Sequence, residues 1–134
     1  MVTVLANGCF DLLHAGHIAH LREAAGMGDR LVVALTADAF VGKGPGRPIQ
    51  RWEDRAAVLG ALRFVDQVVE STSAYTAILK VRPTIFVKGA DYKIAEIEAD
   101  REACRIVGAQ IRFTTSPKKS TTEILKRVRE CALR

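Results

Sequence analysis

Short apolar runs rich in β-branched residues alternate along this chain with amphipathic stretches. Val2–Ala6 is the first apolar run and predicts a strand. In Ile18–Ala25, Ile18, Leu21 and Ala25 share one helical face and Gly26 stands near the end, which predicts a helix. Leu31–Leu35 (LVVAL) is apolar without alternation, the pattern of a strand covered on both faces. Gly42–Pro48 (GKGPGRP) holds three glycines and two prolines and predicts a loop. Trp52–Leu62 predicts a helix whose first turn carries Glu53 and Asp54, signs that suit the helix dipole. Val65–Val69 predicts a strand, Tyr75–Val81 a short helix stopped by Pro83, and Ile85–Val87 a strand running into Lys-Gly-Ala-Asp. Ile97–Val107 predicts a helix closed by Gly108, Ile111–Thr114 a last strand, and Thr121–Leu133 a last helix with Ile124, Leu125, Val128 and Ala132 on one face. Strands alternating with helices predict one α/β domain over residues 1–134, a doubly wound parallel sheet of five strands. Such sheets bind ligands at the carboxyl ends of their strands, where strand order reverses. The junctions to inspect are therefore Asn7–His17, Ala37–Pro48, Lys88–Lys93 and Thr115–Thr122.

Composition narrows the class. A chain of 134 residues, 49% hydrophobic and 26% charged, is the size and make-up of one globular domain. No apolar run approaches the ~20 residues of a membrane span, so an integral membrane protein is not expected. The start MVTVLANGCFD lacks a basic segment followed by a long apolar one, so no signal peptide is expected either. Cys9, Cys104 and Cys131 are widely spaced and form no CxxC, which indicates neither a disulfide framework nor a thiolate zinc site and points to a reducing cytoplasm. The net charge of +5 first suggests a polyanion, but aromatics are only 6%, which disfavours base stacking on nucleic acid. Residues 117–134 hold six basic and two acidic side chains, so most of the excess belongs to the last helix and the turn before it.

The familiar phosphate motifs are absent: the sequence holds no GxxxxGK[ST], no GxGxxG and no HExxH. What it holds is Gly8-Cys9-Phe10-Asp11-Leu12-Leu13-His14-Ala15-Gly16-His17, between the first strand and the first helix. Gly16 lets a ligand approach the backbone, and the free N–H groups of a helix start attract anions. Imidazoles there can donate to phosphate oxygens and approach full charge as an anion raises their pKa. A lone histidine in such a place is more often a cap or a core residue, but two flanking Ala-Gly at this junction point to function. His20, one turn on, reads as a helix-surface residue.

GCFDLLHAGH resembles the signature of the HxGH nucleotidyltransferase superfamily, in its cytidylyltransferase-like branch. Lys43-Gly44, Arg47-Pro48, Glu53-x-Arg55, Lys88-Gly89-Ala90-Asp91-Tyr92 and Ser120-Thr121-Thr122 resemble further motifs of that branch, in family order and over nearly the whole chain. GCFD with HAGH and VKGxDY is most similar to adenylyltransferases that make ADP-heptose from heptose 1-phosphate, in their free-standing form. Cytidylyltransferases acting on glycerol 3-phosphate or another phosphorylated alcohol are the rivals, and a non-catalytic nucleotide- or nucleic-acid-binding domain is the reading from another class.

The resemblance implies a Rossmann-like fold and in-line attack of a sugar phosphate on the α-phosphate of ATP. Mg²⁺ is expected, bound through the nucleotide phosphates. Its partners are ATP and a sugar phosphate, without nucleic acid or membrane; related enzymes are often homodimers. The implied catalytic set is His14, His17, Lys43 and Arg55. The implied nucleotide contacts are Gly8, Cys9, Phe10, His14, Gly16, His17, Lys88, Gly89, Asp91, Ser120, Thr121 and Thr122. Asp11, Lys43, Arg47, Arg55 and Lys88 are the implied substrate contacts. Several positions keep a plainer reading alongside. Lys43 and Arg47 can be surface residues, and Arg55 can pair with Glu53 or Asp54. Asp91 can form an Asx-turn, and Ser120 with Glu123 can form a capping box. Asp11 can cap the turn or orient a histidine, and Cys9 reads as a packing residue whose N–H faces phosphate. Lys118 or Lys119 stands where some related enzymes carry an arginine.

Overall fold

The computed structural model describes residues 1–89, 94–116 and 120–133, the side chains of residues 94–96 excepted. Its strands are β1 (Thr3–Gly8), β2 (Arg30–Thr36), β3 (Gln67–Ser71), β4 (Ile85–Lys88) and β5 (Gln110–Phe113). Its helices are α1 (Ala15–Ala25), α2 (Trp52–Gly60), α3 (Ala74–Val81), α4 (Ile94–Val107) and α5 (Thr121–Ala132), with a single 3-10 turn at Asp38–Phe40. All pairings are parallel and the spatial order is β3-β2-β1-β4-β5. The chain winds outward from β1 to one side and from β4 to the other, so the crevice between these two central strands is the switch point where ligands bind. In register, Leu5 lies beside Val32 and Phe86.

Alternating residues of the central strands feed two cores. Val4, Ala6, Val33, Leu35 and Val87 pack with Leu21 and Ala24 of α1 and Leu59 of α2. Leu5, Val32, Ala34 and Phe86 pack with Ala77 and Ile78 of α3 and Ala103 and Cys104 of α4. The LVVAL run is buried throughout, as a strand sandwiched between helices must be.

Three departures from the sequence expectations have physical causes. α1 begins at Ala15 rather than Ile18, because His14 is its cap. β3 lies two residues later than its apolar run. Val65 is buried in the connection before the strand, where it packs on the α1/α2 core. The apolar stripe of α5 faces away from this chain's cores, with Ile124 and Val128 exposed. Helix ends follow their signals elsewhere: Arg82 closes α3 at φ 52 just before Pro83, and Gly108 follows α4 at φ 77. No helix among the described residues is long and apolar enough to cross a membrane.

Candidate active site

The carboxyl end of β1 leads into α1 through a tight loop. Phe10 and Leu12 adopt left-handed conformations, at φ 44 and 55, and the Phe10 ring folds back over Gly8. A Cβ on Gly8 would sit 2.9 Å from that ring, so the loop requires glycine there. His14 is then the N-cap of α1. Its Nδ1 accepts from the Gly16 N–H at 3.1 Å, while His17 Nδ1 accepts from the His14 N–H at 3.3 Å. The two histidines thus form a reciprocal capping box, the arrangement usually made by Ser and Glu. Their rings stack with centroids 3.7 Å apart, and Phe10 meets His17 edge-on at 5.2 Å.

This geometry fixes the chemistry of the pair. A ring nitrogen that accepts an N–H carries no proton, so in this geometry the hydrogen of each ring lies on Nε2. Burial disfavours the charged form of His17, and the charges of His14, Lys43 and His20 add to that, pushing its pKa down to about 3 against the opposing pull of Asp11. In this geometry His17 is held as a neutral donor, and protonating Nδ1 would break the cap.

Asp11 is buried, and its carboxylate is spent within the protein. It accepts from the backbone N–H of Ile49 at 2.7 Å, that of Gln50 at 3.0 Å, and Arg47 Nε at 2.9 Å. Burial opposes its ionisation, yet these three donors hold its carboxyl below the ordinary value. The implied substrate contact is corrected: Asp11 fixes the 47–50 loop over the site. Its carbonyl also accepts from the Thr121 hydroxyl at the start of α5. Arg47 Nη1 reaches the Thr122 hydroxyl at 3.5 Å, whereas its buried Nη2 has no hydrogen-bond partner among the described residues. The Ser120 side chain accepts from the Glu123 N–H, so the expected cap of α5 is present.

Arg55 departs most from its expected role. Its side chain is 0% exposed, and each of its three nitrogens is bound within the protein. Nε donates to the Gln50 carbonyl at 2.9 Å, Nη1 to the Cys9 carbonyl at 2.7 Å, and Nη2 to Asp38 at 2.5 Å. A guanidinium so enclosed joins the loop after β1, the turn after β2 and the start of α2, and at 0% exposure it presents no surface to a phosphate. The compensating anion is Asp38, not Glu53 or Asp54, which lie by Arg51. Cys9 contributes its carbonyl here, and its thiol is half-buried.

The remaining residues are placed as follows. Lys43 is exposed in a loop where Gly42, Gly44 and Gly46 all take positive φ, and its charge is felt at His17. Lys88 ends β4 beside the crevice, its Nζ 2.7 Å from Asp100 of α4; Gly89 follows it. His20 is not a plain surface residue, since its Nδ1 lies 2.7 Å from the Thr114 hydroxyl at the end of β5. Asp91, Lys118 and Lys119 lie outside the described residues. Motif reading missed Asp38, Gln50, Asp100 and Glu23. Glu23 accepts from the Thr115 N–H and the Ser116 hydroxyl, which hold its carboxyl below the ordinary value. Asp38 and Gln50 carried one available signal, that an arginine in a first helical turn needs an anion and acceptors nearby. Asp100 and Glu23 looked like any solvated helix acids.

His14, His17, Arg47, Thr121 and Thr122 thus lie at or beside two helix N-termini near the carboxyl end of β1, where free backbone N–H groups can meet an anion, in a Rossmann-like α/β domain. The chain belongs to the Cytidylyltransferase-like family, whose profile matches residues 5–127. It is 42% identical over 130 residues to the bifunctional protein HldE of Photobacterium profundum, covering 94% of this chain and 27% of that one. It is 50% identical over 114 residues to the HldE of Chromohalobacter salexigens, covering 81% of this chain and 24% of that one. The chain therefore spans about a quarter of the length of these relatives. The crystal structure of the lipopolysaccharide core biosynthesis protein of Thermoplasma volcanium is similar at a TM-score of 0.72 and 30% identity, covering 90% of this chain and 99% of that one.

Proposed function

We propose that this chain transfers AMP from ATP to heptose 1-phosphate, giving ADP-heptose and pyrophosphate. The observation that carries the reading is the histidine capping box at the crevice, where two imidazoles and a helix N-terminus can meet an anion. A phosphate oxygen of the sugar phosphate attacks the α-phosphorus in line, and the bond to the bridging oxygen breaks as pyrophosphate leaves with the electron pair. The attacking group is already an anion, so no general base is needed, and catalysis reduces to positioning and charge stabilisation. His14 and His17 Nε2–H groups serve the α-phosphate. Lys43, on its glycine-flanked loop, closes over the phosphates. The α5 start at Ser120–Thr122 and the unfilled Nη2 of Arg47 suit the leaving pyrophosphate.

Mg²⁺ carried on the triphosphate oxygens supplies charge neutralisation. Mg²⁺ is commonly held by phosphates and waters, so the triphosphate itself would be its main ligand. The likeness to HldE proteins and to a lipopolysaccharide core biosynthesis protein supports the sugar-phosphate acceptor. The test is pyrophosphate release with each nucleoside triphosphate, Mg²⁺ and either heptose 1-phosphate or glycerol 3-phosphate. Turnover with ATP and the heptose is expected. Turnover with CTP alone would replace this reading with a cytidylyltransferase.

A further inference from the structure

Lys88 is the last residue of β4, one step beyond the Ala6–Val87 pair that joins β4 to β1. It shares a strand face with Phe86, which packs on the α3/α4 core, so its side chain leaves the sheet on the side opposite α1. There its ammonium meets Asp100, 2.7 Å away, with the lysine side chain 18% exposed and the carboxylate side chain 5% exposed. Asp100 sits on α4, outside every motif of the site. Lys88 has a flexible stem of four carbons that ordinarily carries its charge into water. Here one of its three N–H donors is bound, and the strand end holds the group at the rim of the crevice.

We propose that Asp100 is a positioning residue of the active site: it pins the Lys88 ammonium on the α4 side of the crevice, so that its two other N–H donors meet the phosphate of the acceptor. This rests on the reading of the crevice as the site of a phosphorylated acceptor. The site then grips its anions from two sides, with imidazoles at α1 and an ammonium at β4.

Two effects of Asp100 have opposite signs, which makes the proposal decidable. Its negative charge weakens the attraction of any anion nearby. Its hydrogen bond holds an ammonium that otherwise swings to water. Positioning predicts that Asp100→Asn loosens phosphate binding, whereas simple neutralisation predicts that it tightens it.

The experiment compares wild type, Asp100→Asn, Lys88→Met and the double variant. Calorimetric titration with inorganic phosphate should show roughly tenfold weaker binding in Asp100→Asn, the size of one charge-assisted hydrogen bond. The double variant should bind no more weakly than Lys88→Met alone, because Asp100 acts through Lys88. In turnover, KM for the sugar phosphate should rise while KM for ATP stays within about twofold. Unchanged or tighter phosphate binding in Asp100→Asn, or an additive loss in the double variant, overturns the proposal. If Asp100→Asn does not fold, Asp100→Glu, which keeps the charge but displaces the ammonium, decides on the same titration: weaker binding supports positioning and unchanged binding overturns it. If wild type binds phosphate but turns over no sugar phosphate, the functional reading fails while the titration still judges Asp100.

Discussion

Two helices present their N-termini to the crevice, and they are held there in different ways. α1 is capped by histidines, and its body is locked into a core through Leu21 and Ala24, both 0% exposed. α5 is capped by Ser120, and beyond its first turn it contributes little to either core. Its start is tied down by polar bonds instead, from Thr121 to the Asp11 carbonyl and from Arg47 to Thr122. The two ends offer anions similar donors, but the first is set by hydrophobic packing and the second by a chain of hydrogen bonds that runs through the 47–50 loop. α1 is thus fixed whether or not ligand is present, whereas the position of α5 depends on a few polar groups.

The largest effect should come from the group that holds both loops beneath the site. Arg55→Met leaves Asp38 and the carbonyls of Cys9 and Gln50 without their donor. Removing one partner of a buried pair costs roughly 3–5 kcal/mol. Asp38 is half-exposed and recovers water, which places the expected loss near the lower end of that range, read by urea unfolding. A variant that kept its stability and lost only turnover would restore Arg55 to the phosphate contacts.

His17→Ala attacks α1 directly. Losing one positioned donor to the transition state should lower kcat by about 10²–10³. Helix content by circular dichroism should be retained, because the packing of Leu21 and Ala24 remains. The pH dependence sharpens this. With its pKa lowered to about 3, His17 stays neutral across the range in which a free histidine titrates, so the activity of the folded enzyme should show no limb from His17 near pH 6.5. Its effect on stability runs the other way round from a salt-bridged histidine. Below about pH 6.5 the unfolded chain takes up a proton that folded His17 refuses. Unfolding free energy should therefore fall with pH between about 6.5 and 3, and the slope should diminish in His17→Ala.

Much of this was readable from the chain, and the limits of reading are instructive. Apolar runs located the five strands and five α-helices among the described residues, because the central strands of a doubly wound sheet are buried on both faces and read as unbroken runs. β3 slipped by two residues because Val65 is buried outside the ladder, and apolar periodicity reports burial rather than strand pairing. The histidine pair was legible from its position at a strand-helix junction. Its charge state was not, since that depends on which ring nitrogen the backbone occupies. Arg55 was misplaced for a similar reason: a motif says that an arginine is required but not whether it faces substrate or its own loops. Asp38 and Asp100 are distant in sequence from the residues they hold, and only the folded arrangement brings them into contact.

Asp11→Asn tests the hydrogen-bonded side of the comparison. Asparagine keeps an acceptor but loses the charge that takes three donors, so stability should fall by about 1–3 kcal/mol. The larger sign should be on α5: amide exchange in its first turn should quicken, while that of α1 stays slow. The carboxyl of Asp11 lies below its ordinary value of 3.8 in the folded state. Its contribution is therefore complete above the unfolded pKa and lost as pH falls through the lower folded one. Wild type should lose stability below about pH 4 more steeply than Asp11→Asn does.

The smallest effect belongs to the body of α5. Val128 is 59% exposed, at the centre of a stripe with Ile124, Leu125 and Ala132. In a helix packed on the domain, replacing such a residue by serine would remove a buried branched side chain and cost more than 1 kcal/mol. Here Val128→Ser should change the unfolding free energy of the chain by no more than about 0.5 kcal/mol. It should also leave KM for ATP unchanged, because the donors of α5 sit in its first turn and are anchored by Asp11 and Arg47. A loss of stability as large as that of a core valine would mean that the helix body packs on the domain, and that α1 and α5 are held by the same means after all.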